Sequence, residues 1–253
     1  MQIDDISSIQ PGYDILVFGA HPDDAEMAIG GTLLKLTAEG KKVLNVVFTT
    51  GDKGRHGTVS ERIDEQRRAA DFGGYDFLFL DRPDCGIYVD EKNRLDAIRV
   101  IRRARPSLLL APYHTNFQGH RDGVNHEDHL ALGKVVTGAV KVAGVGKVIP
   151  ELEPWVVDRL LYFMVPRFAR PSLVVDVTSQ EERFKELIAC FTTQMRIVRA
   201  GRPILDVLLD WRKMFGYSVG IGLGEAFLSD EPLIVESPGG LCGRVLLPGG
   251  GER

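Results

Sequence analysis

The chain predicts an α/β fold: one domain with a mostly parallel sheet and helices on both faces. Three observations predict it. Short apolar runs alternate with segments of helical spacing through the first 143 residues. Those runs are apolar throughout rather than at every second position, as strands covered on both faces are. Four of them lead directly into polar segments rich in Gly, His or Asp, and such sheets gather their sites in loops after the carboxyl ends of strands.

The elements follow in order. Tyr13–Ala20 reads as a buried strand. Residues 25–39 carry Met27, Leu33, Leu34 and Leu36 at helical spacing and stop at Gly40, a helix-ending glycine. Lys42–Thr50, rich in Val, is the second strand, and the polar loop Thr49–Ser60 leads into a helix over Glu61–Phe72. Phe77–Leu80 is a third strand, Asp81–Asn93 a second polar loop, and Leu95–Arg105 a helix punctuated by Pro106. Ser107–Pro112 is the fourth strand, Tyr113–Asn125 the third long loop, and His126–Ala143 a helix. Beyond residue 150 the pattern changes: strands over Arg159–Val165 and Leu173–Val177, then helices over 180–199 and 203–217. No linker separates a second domain, so residues 1–236 are read as one unit. Residues 237–253, with six glycines and two prolines, form a Gly/Pro-rich tail.

Bulk properties narrow the function. The 253 residues are 44% hydrophobic and 26% charged, with a net charge of −4, which suits a soluble globular protein and not a nucleic-acid or membrane-surface binder. The three cysteines, Cys85, Cys190 and Cys242, are odd in number and unpaired in any motif, so a reducing cytoplasm is expected. Met1–Gly12 has no apolar run and does not read as a signal peptide, and no stretch is long enough to span a membrane.

The chemistry concentrates in two motifs. All six histidines lie in the first 129 residues, four of them between His114 and His129. His21-Pro22-Asp23-Asp24 sits between a strand and a helix. A turn with Asp24 as helix cap explains one Asp, but neither the second nor the histidine. An imidazole with a carboxylate suits a divalent ion, and an adjacent second carboxylate can act as general base on a water held there. In His126-Glu127-Asp128-His129, the two histidines at i and i+3 face one side of a starting helix, although an acidic helix N-terminus alone would also suit the macrodipole.

Together, Ala20-His21-Pro22-Asp23-Asp24-Ala25-Glu26, Gly30-Gly31-Thr32 and His126-Glu127-Asp128-His129 resemble the LmbE-like (PIG-L) N-acetylglucosamine deacetylase family. Thr50-Gly51-Asp52, Gly57-Thr58-Val59 with Arg62 and Glu65, and Arg82-Pro83-Asp84 are similar to its intervening segments. Lys185 to Phe227 resembles its bacillithiol-pathway branch. The resemblance implies a Rossmann-like sheet and a zinc site formed by His21, Asp24 and His129. It implies Asp23 as general base to a zinc-bound water, and His126 as the group that stabilises the oxyanion or protonates the leaving amine. Asp128 would orient His126, and Arg62 would bind substrate hydroxyls or a carboxylate. Fe2+ would suit the same ligands. The expected substrate is a small amino-sugar conjugate, and the expected assembly a homo-oligomer, trimer or hexamer.

The sequence departs from that pattern at Glu127, where the family usually has Pro, at Asn125, where the branch has a basic residue, and at Cys85, where Arg is common. The loop before Asn125 is long and holds His120-Arg121-Asp122, read as solvated or as shaping the pocket. His56 and His114 read as loop residues. A non-catalytic metal- or sugar-binding protein would keep the ligands but not need Asp23, and an amidase on another N-acyl substrate would need the same set. A nucleotide-binding protein is disfavoured, because carboxylates stand where a pyrophosphate needs bare amides.

Overall fold

The computed structural model describes residues 1–115, 126–166 and 169–232. His120, Asp122, Asn125, Cys242 and the tail from residue 237 lie outside them. Six strands make one parallel sheet: β1 (Gln2–Ile3), β2 (Ile15–Gly19), β3 (Val43–Thr49), β4 (Asp76–Arg82), β5 (Leu108–Pro112) and β6 (Arg159–Phe163), in the spatial order β1-β4-β3-β2-β5-β6. β2 is buried along its length because both its faces are covered. Leu16 and Phe18 enter one core with α3 (Glu91–Ala104) and α4 (Glu127–Ala143). Ile15 and Val17 enter the other with α1 (Asp24–Ala38) and α2 (Val59–Gly73).

The chain runs from β2 outward to β3 and β4, then returns to the other side of β2 as β5. The strand order therefore reverses between β2 and β5, and loops leaving their carboxyl ends diverge into a crevice. His21 lies just beyond β2 and His126 at the end of the loop after β5. Among the described residues no helix is long and apolar enough to cross a membrane.

α1 carries a break that its apolar spacing does not reveal. Ile29 leaves the helical region (φ −136°, ψ 25°). The amides freed by the break, Gly31 and Thr32, donate to the Glu225 carboxylate at 2.9 and 2.6 Å. The freed Met27 carbonyl accepts from Arg212, which also binds Glu225. A Cβ at Gly31 would come within 2.8 Å of Val177, so the close approach requires glycine there. The helix is thus two segments joined by a buried ion pair, and the first segment carries Asp24.

The second half differs more from expectation. Residues 203–217 are helical as α6 (Ile204–Ser218), but the helix expected over 180–199 ends early as α5 (Glu181–Ala189). Glu65 of α2 is the physical reason: its carboxylate accepts from the Thr192 and Thr193 hydroxyls and from the Thr193 amide, at 2.7–2.8 Å, which diverts the backbone from the helical ladder. Residues 194–199 turn instead toward the sheet's carboxyl edge, ending in the short hairpin of β8 (Val198–Arg199) and β9 (Arg202–Pro203). β7 (Leu173–Asp176) pairs antiparallel with β10 (Gly224–Phe227), a strand absent from the sequence reading, which sets Glu225 against α1.

Candidate active site

The turn after β2 is held by one carboxylate. Asp24 Oδ2 accepts the amides of Ala20 and His21 at 2.9 and 2.8 Å, so this side chain folds back on the turn instead of capping α1. The cap position belongs to Asp23, whose side chain makes no capping bond and whose backbone is left-handed (φ 90°). A non-glycine residue in that conformation costs stability, and it aims the Asp23 carboxylate away from the helix axis.

His21, Asp24 and His129 converge. His21 Nδ1 lies 3.2 Å from His129 Nε2 and 3.4 Å from Asp24 Oδ2, and His129 Nε2 lies 3.1 Å from Asp24 Oδ1. Donors placed tetrahedrally about an ion at bond lengths near 2.0 Å stand roughly 3.3 Å apart. The spacing therefore fits a divalent ion, and so does the N/O chemistry of the set. The charge balance agrees. Burial disfavours the His21 imidazolium, yet Asp24, Asp128 and Asp84 around it hold its pKa well above the ordinary range, the mark of a site with excess negative charge.

The far side of His21 is where the sequence reading needs correction. Its Nε2 lies 3.0 Å from Asp84 Oδ1 and 3.2 Å from Asp128 Oδ2. Asp128 was expected to orient His126, but its oxygens face His21 and accept the amides of Cys85 and Ile87 at 2.8 and 3.0 Å. The reason is the helix start: His126 is the cap residue of α4, and its Nδ1 is reached by the Asp128 amide at 3.3 Å, not by the carboxylate. Two carboxylates behind Nε2 favour the tautomer that leaves the Nδ1 lone pair toward Asp24 and His129. Asp84 was not assigned a site role. Its hydrogen bond with His21 keeps it well below the usual carboxylate range. Asp84, Cys85 and Asp128 also lie close together behind His21, and the Asp128 oxygens accept the amides of Cys85 and Ile87.

Asp23 is 8% exposed, and burial pushes its carboxyl up to about 7 against the opposing charge of Arg62. Arg62, expected to meet substrate, is itself 4% exposed and turned inward: Nη2 donates to the Pro22 carbonyl at 2.7 Å and lies 3.4 Å from Asp23 Oδ2. The inward turn follows from its place on the buried face of α2. Gln66, one helical turn on, accepts the Asp23 amide and donates to buried Glu26, so the motif is also tied to α2 from beneath. His126 completes the group; burial and the neighbouring His21 and His129 hold its imidazole below the ordinary value.

Against this geometry the chain can be compared with known proteins. The family model described as GlcNAc-PI de-N-acetylase (PIG-L) matches residues 16–140. The chain is 30% identical over 220 residues, 73% of its length, to a 1D-myo-inositol 2-acetamido-2-deoxy-alpha-D-glucopyranoside deacetylase from Nocardiopsis dassonvillei, 72% of whose length is covered. The chain belongs to the PIG-L family. It is 27% identical to a diacetylchitobiose deacetylase from Thermococcus kodakarensis over 66% of this chain, and spans 65% of that relative's length. A conserved protein from Thermus thermophilus superposes with a TM-score of 0.79 at 29% identity, over 90% of this chain and 98% of that one. The 4-carboxy-2-hydroxymuconate hydratase from Pseudomonas putida superposes at 0.75 with 18% identity, over 90% and 99%, a likeness of fold alone.

The PIG-L match holds every residue of the His21 cluster, Asp23, Arg62, Asp84 and His126. It does not reach the part of the cavity lined from the later chain, between Met164 and Trp211. The site residues line a space of about 560 Å³, which residues of the later chain help to enclose. Cys85 lines it and is exposed, and desolvation together with the neighbouring Asp84 raises the thiol's pKa. His56 and His114 do not line it; His114 pairs with Thr115 and Asp230.

Proposed function

We propose that this chain is a metal-dependent N-deacetylase that hydrolyses the acetamide of an N-acetylglucosaminyl conjugate. The observation that carries the reading is the junction of His21, Asp24 and His129 with a further, uncapped carboxylate, Asp23, in one cavity. His21, Asp24 and His129 would hold the ion, zinc by preference of the donor set and Fe2+ as a second fit. Such an ion supplies Lewis acidity toward the amide carbonyl and lowers the pKa of coordinated water. Asp23 takes the proton of the attacking water and returns it toward the amine as the C–N bond breaks; its burial suits a group that must gain and lose a proton near neutrality. His126 accepts the Asp128 amide at Nδ1, so its neutral form carries the proton on Nε2, available to the oxyanion or the departing amine. Arg62 borders Asp23 and is assigned to substrate hydroxyls at the cavity wall. The products are acetate and a free amino sugar.

By their names, relatives of this chain deacetylate diacetylchitobiose and an inositol glucosaminide. These support the N-acetylglucosaminyl class and lend nothing particular to the bacillithiol branch. A homo-oligomer, trimer or hexamer, in the cytoplasm belongs to the same proposal, and light scattering of the purified protein tests the assembly.

The decisive experiment is acetate release from a panel of N-acetylglucosaminides by the zinc-loaded protein. Asp23→Asn is expected to lower turnover by at least ~10²-fold while zinc stays bound. Absence of acetate from the whole panel would refute the deacetylase reading, and full activity in Asp23→Asn would remove the base assignment.

A further inference from the structure

The cavity has two unlike ends. One holds the His21 cluster with Asp23 and His126. The other includes an apolar wall made by Met27 of α1, Met164 after β6, Ile197 before β8, and Ile204, Leu208 and Trp211 of α6, beside the polar Lys53, Arg55, Gln194 and Arg199 that also line the cavity. The three α6 residues stand at i, i+4 and i+7, one face of the helix. Ile204 and Leu208 are rooted in a core cluster, while Met27, Ile197 and Trp211 are only half-buried and pack against its rim. The wall therefore presents fixed apolar surface to the cavity. It continues past Met27, Met164 and Trp211 into a smaller recess bordered by Val165, Phe215 and Ala226.

A bare amino sugar meets such a wall only with its C–H faces and leaves its hydroxyls to the polar lining. Against the wall itself its hydroxyls would lose water without gaining partners, and each unpaired hydroxyl is unfavourable. Met27 lies on α1 one turn beyond Asp23, and its amide donates to the Asp23 carbonyl, so the wall begins within reach of the reacting acetamide. Apart from Met27, the wall comes from the later half of the chain, beyond the segment that the family model matches.

We propose that the substrate carries an apolar alkyl or aryl substituent that seats against Met27, Met164, Leu208 and Trp211. The proposal rests on the deacetylase reading of the same cavity and names the substrate class within it. The substituent is attached either at the anomeric oxygen or as an acyl group longer than acetyl.

Two series of synthetic compounds test it and separate the sources: methyl through butyl glycosides of N-acetylglucosamine, and methyl glucosaminides with N-acetyl through N-hexanoyl groups. Removing a methylene from water is worth roughly fourfold in affinity, so kcat/KM should rise at least ~tenfold along one of the series. In Trp211→Ala that rise should flatten, judged as the butyl-to-methyl or hexanoyl-to-acetyl ratio within the variant. A flat response in both series with wild-type protein overturns the proposal while leaving the deacetylase reading intact. Should no compound be hydrolysed, the deacetylase reading falls, and calorimetric titration with methyl and butyl glucosaminides still decides the wall: a gain in affinity of the butyl compound supports it, and equal affinities overturn it.

Discussion

At the scale of single residues, two carboxylates that are neighbours in sequence have different surroundings. Asp24 is engaged by backbone amides and by His129, whereas Asp23, one position earlier, is held off the helix with Arg62 against it. Two adjacent acids after a buried strand exceed what a turn needs, but which of them meets His129 was not legible from their spacing. The backing of His21 was not legible either. Asp84 and Asp128 approach its Nε2 from a loop and a helix far along the chain, and spacing between distant segments carries no information about which atoms meet. The pairing of Asp128 with His126 comes from the family resemblance, which does not show which atoms meet in this chain. Asp84→Asn removes a charge behind the imidazole while keeping an acceptor of the same size. It should weaken zinc binding about 10-fold or more, read by competition with a chromogenic chelator. Affinity equal to wild type would show that Asp84 does not tune the ligand. Asp23→Asn serves as the contrast in the same assay, since it should leave zinc affinity within about threefold.

At the scale of elements, the helix that delivers Asp24 is broken, and its two segments are joined by side chains from the far end of the chain. Arg212 and Glu225 are both almost wholly buried, and between them they satisfy Met27, Gly31 and Thr32. Gly30-Gly31 was visible in the sequence, but the partner that makes glycine necessary was not, because β10 lies nearly two hundred residues away in the chain. The same blindness lengthened α5: nothing in 180–199 forbids a helix, and the diversion comes from Glu65 on α2. Breaking a buried pair leaves an uncompensated charge, so Glu225→Ala should cost about 3–5 kcal/mol. For a chain of this size that lowers the melting temperature by roughly 10 °C or more in a thermal scan. The double variant Arg212→Met/Glu225→Met should be more stable than Glu225→Ala alone, since no orphaned charge remains. A double variant at least as unstable as the single would mean that the pair acts mainly through the backbone groups it satisfies at Ile29.

At the scale of the whole molecule, the sheet gathers the site because its strand order reverses between β2 and β5. Residues 13–112 were readable as alternating strand and helix because their strands are apolar on both faces, and the pattern itself placed His21 and the His126 loop at the same edge. The chain beyond residue 150 was harder to read, since its short strands pair outside the main sheet and its cavity wall is formed by ordinary core-type residues of α6. His21, Asp24 and His129, from the β2 turn, α1 and α4, meet at one point, so an ion bound there would link three elements that otherwise meet against excess negative charge. Zinc that binds the folded state alone should therefore stabilise the whole chain by mass action. At a hundred times its dissociation constant the gain is about 2.7 kcal/mol, which raises the melting temperature by roughly 5–10 °C. Chelation should reverse the shift, and it should continue to grow with the logarithm of zinc concentration. In His129→Ala, which removes the α4 ligand, the shift should vanish at the same zinc concentrations. A melting temperature indifferent to zinc in the wild type would mean that His21, Asp24 and His129 do not act as one ligand set.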